Sequence, residues 1–395
     1  MTDPMATNGL SLADAPLLRA QRVAAVAGQH AASVDKDARF PCEAIEALRR
    51  ERLLSSFVPR DLGGDGCSIS ELVRHCLTLG QQCASSAMVY AMHQIQVASL
   101  VRHGLPQPWF QRYLRKLADE QLLIASVTSE VGTSGDLRSS ICHLQADGSN
   151  FKLRKDATTI SYGSEADALL LTARRAAESP PNDQVMVFLP KGSYRLANVG
   201  VWDTLGMRGT RSPPALVEAE GLLEQVLPTA FADICPQTQV PFSHLLWSGL
   251  WTGIAVDAVG RARAFVRAAA RQKPGTVPPA GLRLAEVASA LQLMRNNVYD
   301  VAEECDRRMQ SRDANESLTE MGFVLKMNNL KVASSQLAVQ IVGQALQICG
   351  IAGYKNDGKF SLGRQLRDAH SATLMINNDR ILQTNASLLL VHKDE

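Results

Sequence analysis

The sequence predicts an α+β multidomain protein in which helices precede and follow a small β module. Helical periodicity marks both ends of the chain, whereas short apolar runs separated by turn residues occupy the middle. We therefore expect an N-terminal helical domain at 1–122, a central small β-barrel domain at 123–235 and a C-terminal helical bundle at 236–395.

The first region has the composition and the spacing of helices. It is rich in Ala, Leu, Gln, Glu and Arg, and Val73, Cys76, Leu79 and Cys83 recur at helical steps. Clustered Gly and Pro at 59–66 interrupt the pattern, because these residues break regular structure. This segment is therefore expected to be a loop between two helices.

The central region changes to short apolar runs at Leu122–Val127, Ala168–Thr172 and Val185–Leu189. Turn residues separate them, among them the groups at 147–150 and 180–183. Closely spaced strands without intervening helices are typical of a small β-barrel or sandwich.

The last region is helical again and contains one long apolar stripe. Pro274 and Pro279 bound a break between two helices. The stripe, which follows the helical period, consists of Leu330, Ala333, Leu337, Ile341, Ala345 and Ile348.

Charge and cysteine usage exclude several classes of protein. The net charge is +2 without a long basic run, which argues against nucleic acid or an anionic membrane as the main partner. The eight cysteines are scattered without metal-ligand spacing, so we expect free thiols and no metal site. No apolar run approaches the ~20 residues of a membrane span. The first residues lack the features of a secretory signal, and we expect a short loose tail and a cytoplasmic protein.

Five local motifs occur along the chain in a fixed order. They are VPRDLGGDG at 58–66, SVTSEVGTSGD at 126–136, TISYGSEAD at 159–167, DTLGMRGTRS at 203–212, and QICGIAGY at 347–354 followed by RQLRDAHSATLM at 364–375. Together they resemble the acyl-CoA dehydrogenase superfamily over nearly the whole chain. The resemblance implies a flavoprotein whose C-terminal unit is a four-helix bundle. Arg208 and Asp368 are expected to organise the domain junction as a charged pair.

The resemblance also implies positions for an FAD cofactor. Thr128 and Ser129 fall where the family lines the pyrimidine ring of the flavin. Gly135 replaces a family serine, so that only its main chain is available there. Ser161 falls at the hydroxyl near flavin N5, and the aromatic residue that usually shields the ring is replaced near Thr159. A serine in an ordinary turn is the alternative interpretation of Ser161.

A second subunit is expected to complete each site. By resemblance, the turn containing Gln347, Gly350 and Ile351 receives the dinucleotide of a neighbouring chain, since glycine permits close approach to an anion. Asn378 and Arg380 would lie beside the adenosine half. A homodimer or homotetramer follows from this arrangement, whereas a simple helix-ending glycine turn is the alternative.

The catalytic base is missing from both positions that the family uses. One position is Ile376, and the other falls in the segment 241–246, which has no carboxylate. We take His93 as the candidate base, because it shares an inward helical face with Val89 and Val97. A hydrogen-bonded core histidine is the alternative. Weaker candidates are His244, His370 and Asp379.

Three functions remain open at this point. We favour an FAD-dependent dehydrogenase that acts on the CH–CH group of an acyl thioester, such as an acyl-CoA, or of a similar carbonyl compound through a relocated base. The alternative is a flavin-dependent monooxygenase on the same fold that uses reduced flavin, such as reduced FMN, and dioxygen, and needs no such base. An electron-transfer partner or a reductase would accompany either enzyme. The third hypothesis is a binding protein without catalysis.

Overall fold

The computed structural model describes residues 15–272 and 274–393. The first fourteen residues, where the loose tail is expected, lie outside these ranges. Within the two ranges, no helix combines the length and the apolar character that a membrane span requires.

Five helices form the N-terminal unit. Ser68 begins the third helix with a capping box, in which its hydroxyl accepts from the N–H of Glu71 and the carboxylate of Glu71 accepts from the N–H of Ser68. The fourth helix is buried on nearly all sides and runs through the centre of the molecule. The helices are α1 (Pro16–Lys36), α2 (Cys42–Arg50), α3 (Ile69–Gly80), α4 (Ala84–His103) and α5 (Pro108–Glu120).

Seven strands follow and form two small sheets. They are β1 (Ile124–Val127), β2 (Gln145–Asp147), β3 (Asn150–Ala157), β4 (Ala168–Arg174), β5 (Gln184–Pro190), β6 (Tyr194–Asn198) and β7 (Ala215–Leu222). One sheet has the order β1-β4-β5, with β1 parallel to β4, and the other has the order β2-β3-β7-β6 and is antiparallel. The apolar strands β4 and β5 are buried on both faces, whereas β3 alternates between buried and exposed residues.

Helices form the remainder of the described chain. They are α6 (Phe231–Ile234), α7 (Val240–Gln272), α8 (Ala280–Met309), α9 (Ala314–Thr319), α10 (Met321–Cys349), α11 (Ile351–Tyr354), α12 (Gly363–His370) and α13 (Asn378–Leu389). Helices α7, α8 and α10 pack against one another and α13 packs on α10, which makes a four-helix bundle. Because α3 packs on α7, the N-terminal helices and the bundle share one apolar core.

The fold class expected from the sequence is confirmed: helices, a small sheet region and a helical bundle follow one another along the chain. The β module lies between the two helical units in sequence. Its loops contribute to the cavity that is described next.

Candidate active site

A cavity of about 590 Å³ lies where the β module meets α4, α7, α12 and the segment after α12. We call it the main cavity. The β module contributes Thr159, Ser161 and residues 202–212 to its lining. Its apolar walls include Met88, Met92, Trp202, Trp247, Leu374 and Met375.

A smaller cavity of about 70 Å³ lies beside it, and we call this the inner chamber. Met92, Trp247 and Ile376 line both cavities and therefore form the wall between them. Ser126 and Thr128, at the end of β1, line the inner chamber. The second, third and fifth sequence motifs thus meet at one place within a single chain.

The fourth and fifth motifs form the floor of the main cavity. The N–H of Met207 donates a 2.7 Å hydrogen bond to the buried carboxylate of Asp368. Arg367 forms an ion pair with Asp35 and donates to the carbonyl oxygen of Leu205. These bonds join the loop after β6 to both α12 and α1.

The expected pairing of Arg208 with Asp368 is wrong. Arg208 forms its ion pair with Asp203 and also donates to the carbonyl oxygens of Asp35 and Thr204. Asp368 instead accepts from a main-chain N–H, and burial raises its pKa to about 6. Both residues lie at the junction of the units, each with different partners.

Three hydroxyl residues in the lining of the main cavity, Thr210, Ser212 and Ser161, lie within hydrogen-bond distance of one another in that order. Thr210 Oγ1 lies 2.9 Å from Ser212 Oγ, and Ser212 donates a 2.8 Å hydrogen bond to Ser161 Oγ. A hydroxyl has one proton and two acceptor lone pairs. Since Ser161 accepts from Ser212 and lines the cavity, its own proton is available to an acceptor atom of a bound molecule.

Ser129 connects the second and third motifs. Its hydroxyl donates a 2.9 Å hydrogen bond to the carbonyl oxygen of Thr159 and accepts from the N–H of the same residue. Ser129 therefore fixes the strand end against the segment that carries Ser161, although it does not line either cavity.

The glutamate that follows Ser129 is structural and was not anticipated from the sequence. Glu130 is buried, lies 3.3 Å from the buried Lys155 and accepts from the N–H groups of Ile141 and Cys142. The alternation of β3 offers a signal for this pair, because it places Lys155 on the buried face with Phe151.

Gly135 and Arg380 lie against each other. Arg380 donates to the carbonyl oxygen of Ser134, and Gly135 has a φ of +75°. A Cβ at Gly135 would lie 3.2 Å from Nη1 of Arg380. The two residues that the sequence assigned to the cofactor are therefore neighbours, at the start of α13 and in the loop after β1.

Asn378 faces the protein interior. Its side-chain oxygen accepts from Lys331 Nζ at 2.7 Å, and its nitrogen donates to Ser335 Oγ at 3.0 Å. Its side chain is 7% exposed. The expectation that it contacts the adenosine half of a dinucleotide is therefore corrected, because its amide is already bonded to α10.

Ile376, which the family resemblance places at the position of the base, has an unusual backbone. Its φ is +46°, which a β-branched residue rarely adopts. Its carbonyl oxygen accepts a 2.7 Å hydrogen bond from Lys331 Nζ. Its side chain lines the main cavity and the inner chamber.

His93 is not placed to act as a base. It is fully buried, its Nε2 donates to the carbonyl oxygen of Leu54 at 2.7 Å, and its Nδ1 accepts from the N–H of Ile124. Burial lowers its pKa to about 4, so the ring is neutral. It lines neither cavity, and the expectation is corrected to that of a core histidine that joins α4 to β1.

The weaker candidates have different surroundings. His244 is buried, and burial together with the charge of Lys331 lowers its pKa to about 3. Asp379 is exposed in the first turn of α13, whereas His370 is exposed and lines the main cavity. Of the expected bases, His370 is the one that the structure brings to the cavity.

The lining of the two cavities contains no Asp or Glu among the described residues. Its ionisable side chains are Arg367, which is paired with Asp35, together with His370 and Cys235. Burial raises the pKa of Cys235 to about 11, so this thiol is protonated. Within 15–272 and 274–393, no group of three or more His, Cys, Asp or Glu could hold a metal ion.

The turn after α10 lies outside the lining of both cavities. Gln347, Gly350 and Ile351 are exposed, and Gly350 has a φ of +56°. The glycine ends α10 with φ +56° and ψ −138°, a backbone conformation that favours glycine, which explains its residue type. Contact with a neighbouring chain remains an expectation for this segment.

Comparisons with known proteins support a family assignment over most of the chain. Residues 19–137 match the N-terminal domain model, and residues 239–376 the C-terminal domain model, of acyl-CoA dehydrogenase. The chain is 23% identical to the amino sugar nitrososynthase DnmZ of Streptomyces peucetius, over 86% of this chain and 84% of the relative. It is 25% identical to isovaleryl-CoA dehydrogenase of Oryza sativa, over 86% and 81%.

A solved structure is similar over nearly the full length. FMN-bound TdsC, a dibenzothiophene monooxygenase from Paenibacillus sp. A11-2, superposes with a TM-score of 0.82 at 20% identity. The alignment covers 96% of this chain and 98% of that protein. At this identity the likeness shows a common fold.

Proposed function

The chain belongs to the acyl-CoA dehydrogenase superfamily of flavin enzymes, and from this premise we propose that it is a flavin-dependent monooxygenase. It would use reduced flavin and dioxygen to oxygenate an uncharged organic substrate in the main cavity. The sequence motifs favour a dehydrogenase, whereas the described lining of the cavity, which contains no carboxylate, favours a monooxygenase.

The lack of a carboxylate in the cavity carries the proposal. Dehydrogenation beside a carbonyl group requires a positioned base that removes a proton from carbon. The family resemblance assigns the position of that base to Ile376, and neither cavity is lined by Asp or Glu among the described residues. His93, which could have replaced it, is bonded to main-chain groups elsewhere. Oxygen transfer from a reduced cofactor needs no such proton removal.

The residues of the main cavity fit a flavin. Its volume of about 590 Å³ lies within the roughly 300–1,000 Å³ of small-molecule sites. Methionine and tryptophan side chains offer apolar walls for a flat ring, and Ser161 offers a hydroxyl proton at one edge. When bound, a reduced flavin supplies two electrons and two protons to dioxygen, so that one oxygen atom enters the substrate and the other leaves as water.

The chain's own residues would orient the substrate and exclude water. The lining offers little compensation for a charged substrate, since no carboxylate is among its described residues and the guanidinium of Arg367 is already paired with Asp35. An uncharged, largely apolar molecule is therefore the substrate class that this lining favours. His370 lies at the exposed edge of the cavity, where its imidazole can contact a bound substrate.

Two relatives support this proposal in addition to the cavity. TdsC is a monooxygenase with bound FMN, and DnmZ is an amino sugar nitrososynthase. We therefore propose reduced FMN as the cofactor and a separate flavin reductase as the partner that supplies it. The family resemblance supports three further proposals. FAD is the alternative cofactor, the turn at Gln347 and Gly350 completes the site of a neighbouring chain in a homo-oligomer, and the protein is located in the cytoplasm.

An acyl-CoA dehydrogenase is the second candidate. Isovaleryl-CoA dehydrogenase of Oryza sativa is among the relatives, and both matching family models describe domains of acyl-CoA dehydrogenase. On this alternative His370 would have to remove the proton, since it is the imidazole that lines the main cavity. Anaerobic reduction of the bound flavin by an acyl-CoA would favour this candidate.

The monooxygenase proposal is tested by isotope incorporation. Purified protein, FMN and a flavin reductase are incubated with a panel of uncharged aromatic compounds, including aryl amines, under isotope-labelled dioxygen, and the products are analysed by mass spectrometry. A product that carries one labelled oxygen atom, and that is absent when the protein is omitted, is expected. The proposal is contradicted if the panel yields no protein-dependent labelled product while an acyl-CoA reduces the bound flavin.

A further inference from the structure

We propose that Lys331 is a positioning residue of this site: it clamps the main chain at Ile376 and so fixes the wall between the main cavity and the inner chamber. The inference deepens the proposed function, on which it rests in taking these cavities as the flavin and substrate site. Lys331 lies on α10 and does not line either cavity. It would therefore act through Ile376.

The strained residue is part of the wall itself. Ile376 has a φ of +46° although its side chain is β-branched. Branching at Cβ makes the left-handed region unfavourable, so such a residue persists only where its surroundings enforce it. Because Ile376 lines both cavities, a change of its backbone would alter the shape of both.

Lys331 provides the enforcing contacts. Its ammonium donates to the carbonyl oxygen of Ile376 and to Asn378 Oδ1, each at 2.7 Å. These two acceptors lie on either side of the turn between the loop and α13. A single cation thus holds both ends of the turn that carries the strained residue.

Lys331 is buried without a charged partner. Its relative exposure is 0%, and within the described part of the chain no carboxylate lies within ion-pair distance of it. Burying an ammonium group without a counter-ion is unfavourable, and burial lowers its pKa to about 8. The two hydrogen bonds to the turn offset this cost, and they are what the lysine contributes at this position.

The residues that hold the turn also contact two long helices of the bundle. Asn378 is also held by Ser335, one helical turn further along α10. The ring of Trp251, on α7, lies with its centroid 5.8 Å from Lys331 Nζ. The loop is therefore fastened to two long helices of the bundle.

The crystal structure of Lys331→Met tests the clamp without any ligand. Methionine is similar in length and suits a buried site, but it has no donor. We expect residue 376 to relax to a negative φ and its side chain to leave the wall. Retention of the positive φ with an unchanged wall would overturn the proposal.

Flavin affinity gives a second readout, measured as the Kd for FMN in two backgrounds. In the natural background, Lys331→Met is expected to weaken FMN binding by about tenfold. With Ile376→Gly, the same change should weaken it by less than about threefold, because glycine adopts a positive φ without a clamp. The unfolding midpoint should fall in both backgrounds, since the acceptors lose their donor in both.

Controls separate positioning from general destabilisation. Val301→Ala removes buried volume on α8, which contributes no residue to the lining of either cavity, and should lower the unfolding midpoint without changing the Kd for FMN. An equal loss of affinity from Lys331→Met in both backgrounds, or no loss in either, contradicts the proposal. If the natural protein binds no FMN, the cofactor part of the proposed function fails, and the crystal structure of Lys331→Met decides the role of Lys331.

Discussion

The N–H of Met207 donates a 2.7 Å hydrogen bond to the carboxylate of Asp368, which is 4% exposed. The bond joins the loop after the sixth strand to α12 and connects two motifs that are far apart in sequence. Both segments line the main cavity. The shape of the cavity therefore depends on how closely these two main-chain segments approach each other.

Gly206 permits this approach, and Gly206→Ala is expected to disrupt it. A Cβ at this position would lie 2.2 Å from the carbonyl oxygen of Arg367, so the two segments must separate at a cost of at least ~2 kcal/mol in the free energy of unfolding. Gly260→Ala is the control: a Cβ at this position inside α7 would meet no atom within 4 Å apart from its chain neighbours and the adjacent helix backbone, and it should stabilise the protein by ~0.5–1 kcal/mol. Urea unfolding measures both, and equal stabilities of Gly206→Ala and the natural protein would refute the packing argument.

Asp368 should make stability depend on pH in a defined window. Burial raises its pKa to about 6, whereas the unfolded value is about 3.9. Between these values the folded protein binds more protons than the unfolded chain, so the contribution of Asp368 to the free energy of unfolding falls as pH rises from about 4 to about 6.

Asp368→Asn lacks this titration but keeps an acceptor for the N–H of Met207. The difference in the free energy of unfolding between the natural protein and Asp368→Asn should therefore decrease over that window. Urea unfolding at a series of pH values measures it. Curves that stay parallel from about pH 4 to about pH 6 would show that the folded pKa is not raised.

Ser161 is expected to donate to the bound flavin. Ser161→Ala removes one hydroxyl from the lining, and a neutral hydrogen bond contributes ~0.5–1.5 kcal/mol, which corresponds to a two- to tenfold weaker Kd for FMN. Ser311→Ala is the matched control, since Ser311 is exposed and its hydroxyl bonds to the carbonyl oxygen of Arg308. Fluorescence titration of FMN measures both variants, and identical affinities would remove Ser161 from the site.

The order of the units and the position of Ser161 follow from local patterns in the sequence. Hydrophobic periodicity distinguishes the helices from the short strands, because it depends only on near neighbours along the chain. The motif positions identified Ser161 and Ile376, and both line the main cavity. Features that depend on near neighbours along the chain, such as the helical period, can therefore be predicted from the sequence.

The roles of His93 and Asn378 could not be predicted in the same way. The helical face correctly places His93 inside the protein, but its partners Leu54 and Ile124 come from other elements. Asn378 is bonded to Lys331, 47 residues away. A pattern that shows burial does not show which polar group a buried side chain meets.

The wall of the cavity was equally hidden in the sequence. The left-handed backbone of Ile376 has no sequence signal, because a β-branched residue is an unusual choice there. The family resemblance expects an aromatic residue near Thr159, where this chain has none. Trp202 lines the same cavity as Thr159, and the spacing of the motifs does not indicate that this tryptophan lies there. Lys331 lies on α10 among both apolar and polar residues, so the sequence does not show that it is buried or which groups it contacts.

The absence of a carboxylate beside Ile376 is tested most directly by anaerobic titration of the flavin-loaded protein with a panel of acyl-CoAs, followed through the flavin absorbance band. Isovaleryl-CoA dehydrogenase with its own substrate serves as the positive control. We expect the band of this protein to remain unchanged across the panel, since no described residue of the cavity wall is a carboxylate that could remove the proton. Bleaching of the band by any acyl-CoA would contradict the monooxygenase and show that the cavity contains a working base.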